Sequence, residues 1–225
     1  MILAVATKEL AMATRACAVV IVQALLLVSA SLAAEQDAPP PAAATTATQM
    51  TAAARALLAA LSPEQAAAAS FALDAEERSH WSNVPFAAHR RPGLRLGDLS
   101  RAQVTLVHEL LRASLSSQGY QKVTGVVRLD DINRSQQIAR LAPDATRYAR
   151  VQAESFGSGN YSVAFFGDPR ADTRWGWLIQ GHHLGASFTV ADGRTAFLPL
   201  FLGATPLAVD ENVETGWSAL AQELT

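Results

Sequence analysis

Two histidines stand side by side at positions 182 and 183, inside the run WGWLIQGHHLGASFTV from Trp175 to Val190. Imidazole titrates near neutral pH and is the commonest metal-ligating side chain, so a vicinal pair offers either proton transfer or metal coordination. Strand geometry restricts what the pair can do. Successive side chains of a strand point to opposite faces, which puts Trp175, Trp177, Ile179 and His183 on one side and Leu178, Gln180, His182 and Leu184 on the other. Two such imidazoles reach a single ion only if Gly181 marks a bulge that turns one ring around. Beside His183 the indoles suggest either a cavity with a polar tip or a core holding one satisfied imidazole. Opposite, Gln180 and His182 could hold a ligand or a water together. An amide is no general base, so acid–base work on that face rests on His182 alone.

The groups that could complete such a site lie in the connector HWSNVPFAAHRRPGLRLGDLS, from His80 to Ser100. It supplies Trp81, His80 and His89, and Arg90, Arg91 and Arg95 make it the most basic stretch of the chain. Arginine forks match carboxylates bidentately, so Arg91 is a candidate clamp for an anionic small molecule; solvated loop charges paired with nearby acids are the alternative. The expected site therefore has His182 and His183 as catalytic or metal-ligating groups, with Trp177, Gln180, Arg91 and Trp81 around a small ligand. One imidazole would bind a divalent metal or move a proton, with hydrolysis as the reaction class. Histidine and oxygen ligands without thiolate suit zinc, copper, iron or nickel equally. The competing expectation is a non-catalytic binding or structural module whose histidines satisfy polar groups of the sheet.

Other motifs fail on spacing. HELLR at His108 to Arg112 starts like a helical zinc-protease motif, but Arg112 stands where the second histidine must be. His108 then reads as a half-buried helix residue. The Gly157-Ser158-Gly159 run lacks the spacing of a nucleophile elbow or a dinucleotide loop and reads as a turn. Asn133 and Asn160 begin glycosylation acceptor triplets, which matter only in a host that glycosylates secreted proteins.

The chain as a whole narrows the class. Lys8 and Arg15, the apolar run Ala16 to Ala30, and the small residues ending at Ala33 form a signal-peptide pattern over residues 1–33. Gln23 interrupts the apolar run, which argues against a retained membrane anchor, since about 20 apolar residues are needed to span a bilayer. The mature chain is thus expected to be secreted or periplasmic, without stable membrane insertion. Cys17, the sole cysteine, leaves with the leader, which excludes disulfides, thiolate metal sites and cysteine nucleophiles from the mature chain. Beyond residue 33 there are 16 basic and 19 acidic residues, and this near-neutral balance argues against nucleic acid as a partner.

Residues 34–50, AEQDAPPPAAATTATQM, read as a disordered tether with nothing large to bury. Residues 51–225 then make one domain. Ser62 with Pro63 and Gln65, and Ser100 with Gln103, are helix starts of the capping-box type. Val104, Val107, Leu111 and Leu115 recur on one face of the second helix, and Gly119 is expected to stop it. KVTGVVRL reads as a short strand and DDINRSQQIARL as a helix led by Asp130 or Asp131. From Asn160 the period becomes two: YSVAFFG, the long RWGWLIQGHHLGASFTV and RTAFLPLFLG read as three antiparallel strands of a meander. The expected fold is α+β, with N-terminal helices packed on one face of a C-terminal antiparallel sheet.

Taken together, HWSNVP, RPGLRLGDLS, LLRASLSSQGY, FFGDP, WGWLIQGHHLGASFTV and PLFLGATP resemble, in order, the bacterial and fungal family known as domain of unknown function 3500. The resemblance runs from about His80 to Ala208 and implies no particular activity. It does imply a glutamate immediately before the Gly-His-His, where this chain has Gln180; a metal or proton-transfer role of that carboxylate would be weakened here. It also implies a further helical stretch after the proline-containing segment, so that a chain stopping at Thr225 reads as a short or truncated member.

Overall fold

A computed structural model describes residues 45–207. The signal-peptide expectation and the expectation about the C-terminus fall outside the described residues. The order is α1 (Thr46–Ala59), α2 (Pro63–Ala69), β1 (Ser70–Phe71), β2 (Leu94–Arg95), α3 (Arg101–Ser114), α4 (Ser117–Ala139), α5 (Arg147–Glu154), β3 (Ser162–Phe166), β4 (Arg174–Gly181), β5 (Leu184–Ala191) and β6 (Arg194–Leu202). The class is α+β, as expected.

Each helix is set by a hydroxyl cap. Thr45 accepts from the Thr48 amide at 3.2 Å and starts α1, whose Ala47, Met50, Ala54, Leu57 and Leu58 form one buried stripe. This corrects the expectation of a tether through residue 50: Met50 is only 1% exposed, because the small alanines beside it let α1 lie close along α3. Both capping boxes are present, at Ser62 with Gln65 and at Ser100 with Gln103. α2 stops at Ala69 because Ser70 and Phe71 go extended and pair with β3, where Phe71 stacks on Phe166 at 5.5 Å.

The region after α3 departs further from expectation. Gly119 does not end α3; Ser116 caps a new helix by accepting from the Gly119 amide, and α4 then runs for 23 residues. KVTGVVRL is therefore helical, because Val123, Val126, Leu129, Asp130 and Asn133 fall on one buried helix face. The β-branched residues suggested a strand, but the packing of that face overrides so small a propensity.

The sheet has six strands in mixed pairing, with β3 to β6 a consecutive antiparallel meander, β1 parallel to β3, and β2 antiparallel to it. Alternation divides its faces. Val163, Phe165, Trp175, Trp177, Ile179 and Phe188 enter the large core shared with Met50, Leu57, Val107, Leu110 and Val123 of the helices. On the other face Ala164, Phe166 and Leu178 meet Phe71 of β1, Leu73 and Ala75 just after it, and Trp81 of the connector. The helices thus cover one face, and the connector covers part of the other.

The sequence expectation of one long strand through the histidines is overturned. Gly181 pairs with Leu184, so His182 and His183 are the two loop residues of a hairpin between β4 and β5. His183 takes φ +58°, a left-handed conformation in which histidine, asparagine and aspartate are enriched among residues with a side chain. At the next hairpin Asp192 and Gly193 take φ +50° and +77°, the Asp-Gly pattern of a tight two-residue turn.

Candidate functional site

The turn replaces the opposed arrangement of a strand with a stacked one. The rings of His182 and His183 lie 3.9 Å apart between centroids, with 30° between planes. Three hydrogen bonds to its backbone hold the turn. The Tyr161 hydroxyl donates to the His182 carbonyl at 2.5 Å, the His183 amide donates to the Asn83 carbonyl at 2.8 Å, and the Gly203 amide donates to the His183 carbonyl at 2.8 Å.

Asp130, from α4, completes the group. Its Oδ1 lies 2.6 Å from Nδ1 of His182, although the two residues are 52 positions apart, and its Oδ2 accepts from the Gly157 amide at 2.7 Å. An ionised carboxylate only accepts, so this contact calls for the proton on Nδ1, and a neutral ring held this way has its lone pair on Nε2. No hydrogen bond to Nε2 occurs among the described residues. Asp130 is only 2% exposed, and the Phe156 ring packs edge-on against His182 at 4.9 Å. The loop carrying Phe156 and Gly157 thus shields the contact and fixes the carboxylate.

The surrounding charges are ordered by burial. Burial, and then the Asp130 carboxylate, push Tyr161 well above the usual phenol range, so it stays protonated and donates. Burial also pulls Arg91 down, while Tyr161 and Asp130 oppose that shift. Burial and then neighbouring His182 lower His183, against a smaller upward pull from Asp130. Nδ1 of His183 is buried without a partner.

The other sequence candidates are distributed differently. Gln180 is fully buried on the connector face, where its Oε1 accepts from the Ser82 amide at 3.0 Å and its Nε2 has no partner. Arg91 is 8% exposed and donates to the carbonyls of Ser82, Val84 and His89. Its donors close the connector on itself, so the expected anion clamp is a loop fastener. Trp177 is in the helix-facing core, stacked on Phe188 at 4.4 Å, and its ring neither bonds to nor stacks on His182 or His183. Trp81 covers Gly185 from the opposite face, close enough that a Cβ there would come within 2.4 Å of the indole. His80 is exposed, its carbonyl 3.2 Å from Nε2 of His89, and neither ring bonds to or stacks on His182 or His183.

A shared metal does not fit this geometry. A bound ion lies near the plane of each imidazole at about 2.0–2.1 Å from nitrogen, and two stacked rings have no such point in common. No group of three or more His, Cys, Asp or Glu side chains suited to an ion occurs among the described residues.

Asp130, Tyr161 and Phe156 were missed by sequence reasoning. Asp130 read as a helix start and Tyr161 as a strand start. The signal that could have found the first is the 3–4 spacing of Val123, Val126, Leu129, Asp130 and Asn133, which puts one acid of the Asp130–Asp131 pair on a helix's apolar face.

No curated protein and no solved structure matches the chain. A family model does match, over residues 43–225. The chain, with its hairpin histidines, belongs to the family described as Protein of unknown function (DUF3500).

Proposed function

We propose that His182 and Asp130 form a proton-transfer dyad acting on a small molecule, with hydrolysis as the reaction class. The observation that carries this reading is the 2.6 Å contact between Nδ1 of His182 and the buried Asp130 carboxylate, which leaves Nε2 as an unbonded base. Nε2 would take a proton from a water as its oxygen adds to an electrophilic carbon, then return that proton to the leaving group. Asp130 would hold the tautomer and stabilise the imidazolium. No serine or threonine hydroxyl hydrogen-bonds Nε2 among the described residues, which favours direct attack by water over a covalent intermediate. The leader-like residues 1–33 support a secreted or periplasmic setting for this chemistry.

One observation favours a second reading, a non-catalytic module in which the turn is a structural lock. The His182 side chain is only 10% exposed, and that of its partner Asp130 only 3%. Hydrolysis of an activated ester by the purified chain, referenced to free imidazole at equal concentration, separates the two. The dyad predicts a rate above that reference, abolished in His182→Gln and reduced about 100-fold or more in Asp130→Asn, within the range for general base catalysis. A rate no higher than imidazole, unchanged in His182→Gln, supports the lock and refutes the dyad.

A further inference from the structure

A cavity of about 670 Å³ opens between α3, α4 and the loop before β3, and neither His182, His183 nor Asp130 lines it. Leu96, Val104, Val107, Leu111, Val127 and Ile179 form its apolar wall. Its volume and apolar lining with a few convergent polar groups are those of a small-molecule site, for which about 300–1,000 Å³ is usual.

Arginines outnumber acids among the side chains that line this cavity. Arg112 and Arg128 both line it, against the single acid Asp131, whose Oδ1 already accepts from the Ser158 amide at 2.7 Å. The Arg112 guanidinium lies over the Tyr120 ring at 4.6 Å, and its ion pair with Glu109 is half exposed and readily exchanged. Tyr120 and His108 are joined at 3.0 Å between hydroxyl and Nδ1. Burial, then Arg112 and Arg128, lower the His108 pKa, so at neutral pH it is an uncharged hydrogen-bonding group between the apolar wall and the arginines.

We propose that this cavity binds a small amphiphilic anion, its apolar body against the Val104–Val107–Leu111 wall and its carboxylate at Arg112 and Arg128. The wall alone would accept any apolar molecule; the two arginines, both close enough to act on His108, select the anion in exchange for their present partners. The inference stands apart from the His182–Asp130 dyad, since it uses none of the same side chains.

Calorimetric titration of the full chain with decanoate and, separately, with decanol tests it. Decanoate should bind saturably at one site, at least tenfold more tightly than decanol. The double substitution Arg112→Gln with Arg128→Gln should remove that preference and leave decanol within twofold. Thr124→Trp, at the half-buried rim, should block both ligands while the melting temperature is kept. Val104→Trp is the second blocker should the first fail to fold. Absence of saturable binding up to millimolar decanoate, equal binding of the two probes, or decanoate binding unchanged in the arginine variant each overturns the proposal. So does concentration-dependent dimerisation without decanoate binding, which would assign the groove to a second copy of the chain.

Discussion

Replacing Asp130 by asparagine changes one atom and tests the bond on which the site depends. In the native chain the carboxylate accepts twice, from Nδ1 of His182 at 2.6 Å and from the Gly157 amide at 2.7 Å, and it is nearly fully buried. An asparagine oxygen can keep one acceptor role, most simply toward Gly157, leaving its amide NH₂ facing His182. The imidazole must then switch to the tautomer protonated at Nε2 or leave two donors opposed. Hydrogen bonds to a charged group are worth about 1.5–3 kcal/mol, and weakening one while losing the other's charge should cost about 2–3 kcal/mol. For a chain of this size that corresponds to a fall of about 4–12 °C in melting temperature. Urea denaturation of Asp130→Asn against the native chain reads the free energy directly. A loss under about 0.5 kcal/mol would refute the buried, doubly bonded carboxylate. Asp130→Ala should cost more than Asp130→Asn, because it leaves both donors without a partner.

Three further outcomes follow from the packing and the charges. Met50→Ala should destabilise the chain by about 2–5 kcal/mol, as for other buried large-to-small changes, and a neutral result in denaturation would return this segment to a tether. At position 183, whose φ is +58°, valine should be less stable than asparagine by about 1–2 kcal/mol; equal melting temperatures would contradict the left-handed turn. Stability should fall as pH is lowered below about 6.5, because His183 and His108 are both held below that value in the folded chain. The unfolded chain binds the protons first, so stability rises with pH through this window and levels off below the folded values. His183→Gln should flatten the acid-side decline in denaturation midpoints, and an unaltered slope would contradict the shift.

Much of the fold could be read from local chemistry. The Ser62 and Ser100 capping boxes need only residues three apart, and the Asp192–Gly193 turn announces itself by residue type. The α+β layering followed from a helical period giving way to alternation after Asn160. Three things were not local. The valines of α4 looked strand-forming until Ser116 and the buried face of that helix set their conformation. Gly-His-His looked like an interrupted strand because histidine is an uncommon turn residue, and only the Gly181–Leu184 pairing makes it one. At the site, the two histidines could be found but their partner could not, because Asp130 reaches His182 across 52 residues through tertiary packing alone. Arg91 and Trp177 looked functional by type, but the first is held by connector carbonyls and the second is sealed in the core.

The central claim concerns which nitrogen of His182 carries the proton. Nitrogen-15 imidazole shifts of the native chain in mildly alkaline buffer report this directly. The dyad predicts protonated Nδ1, with its proton far downfield beside the Asp130 carboxylate, and an unprotonated Nε2. A His182 signal protonated at Nε2, or unchanged between the native chain and Asp130→Asn, would contradict the account.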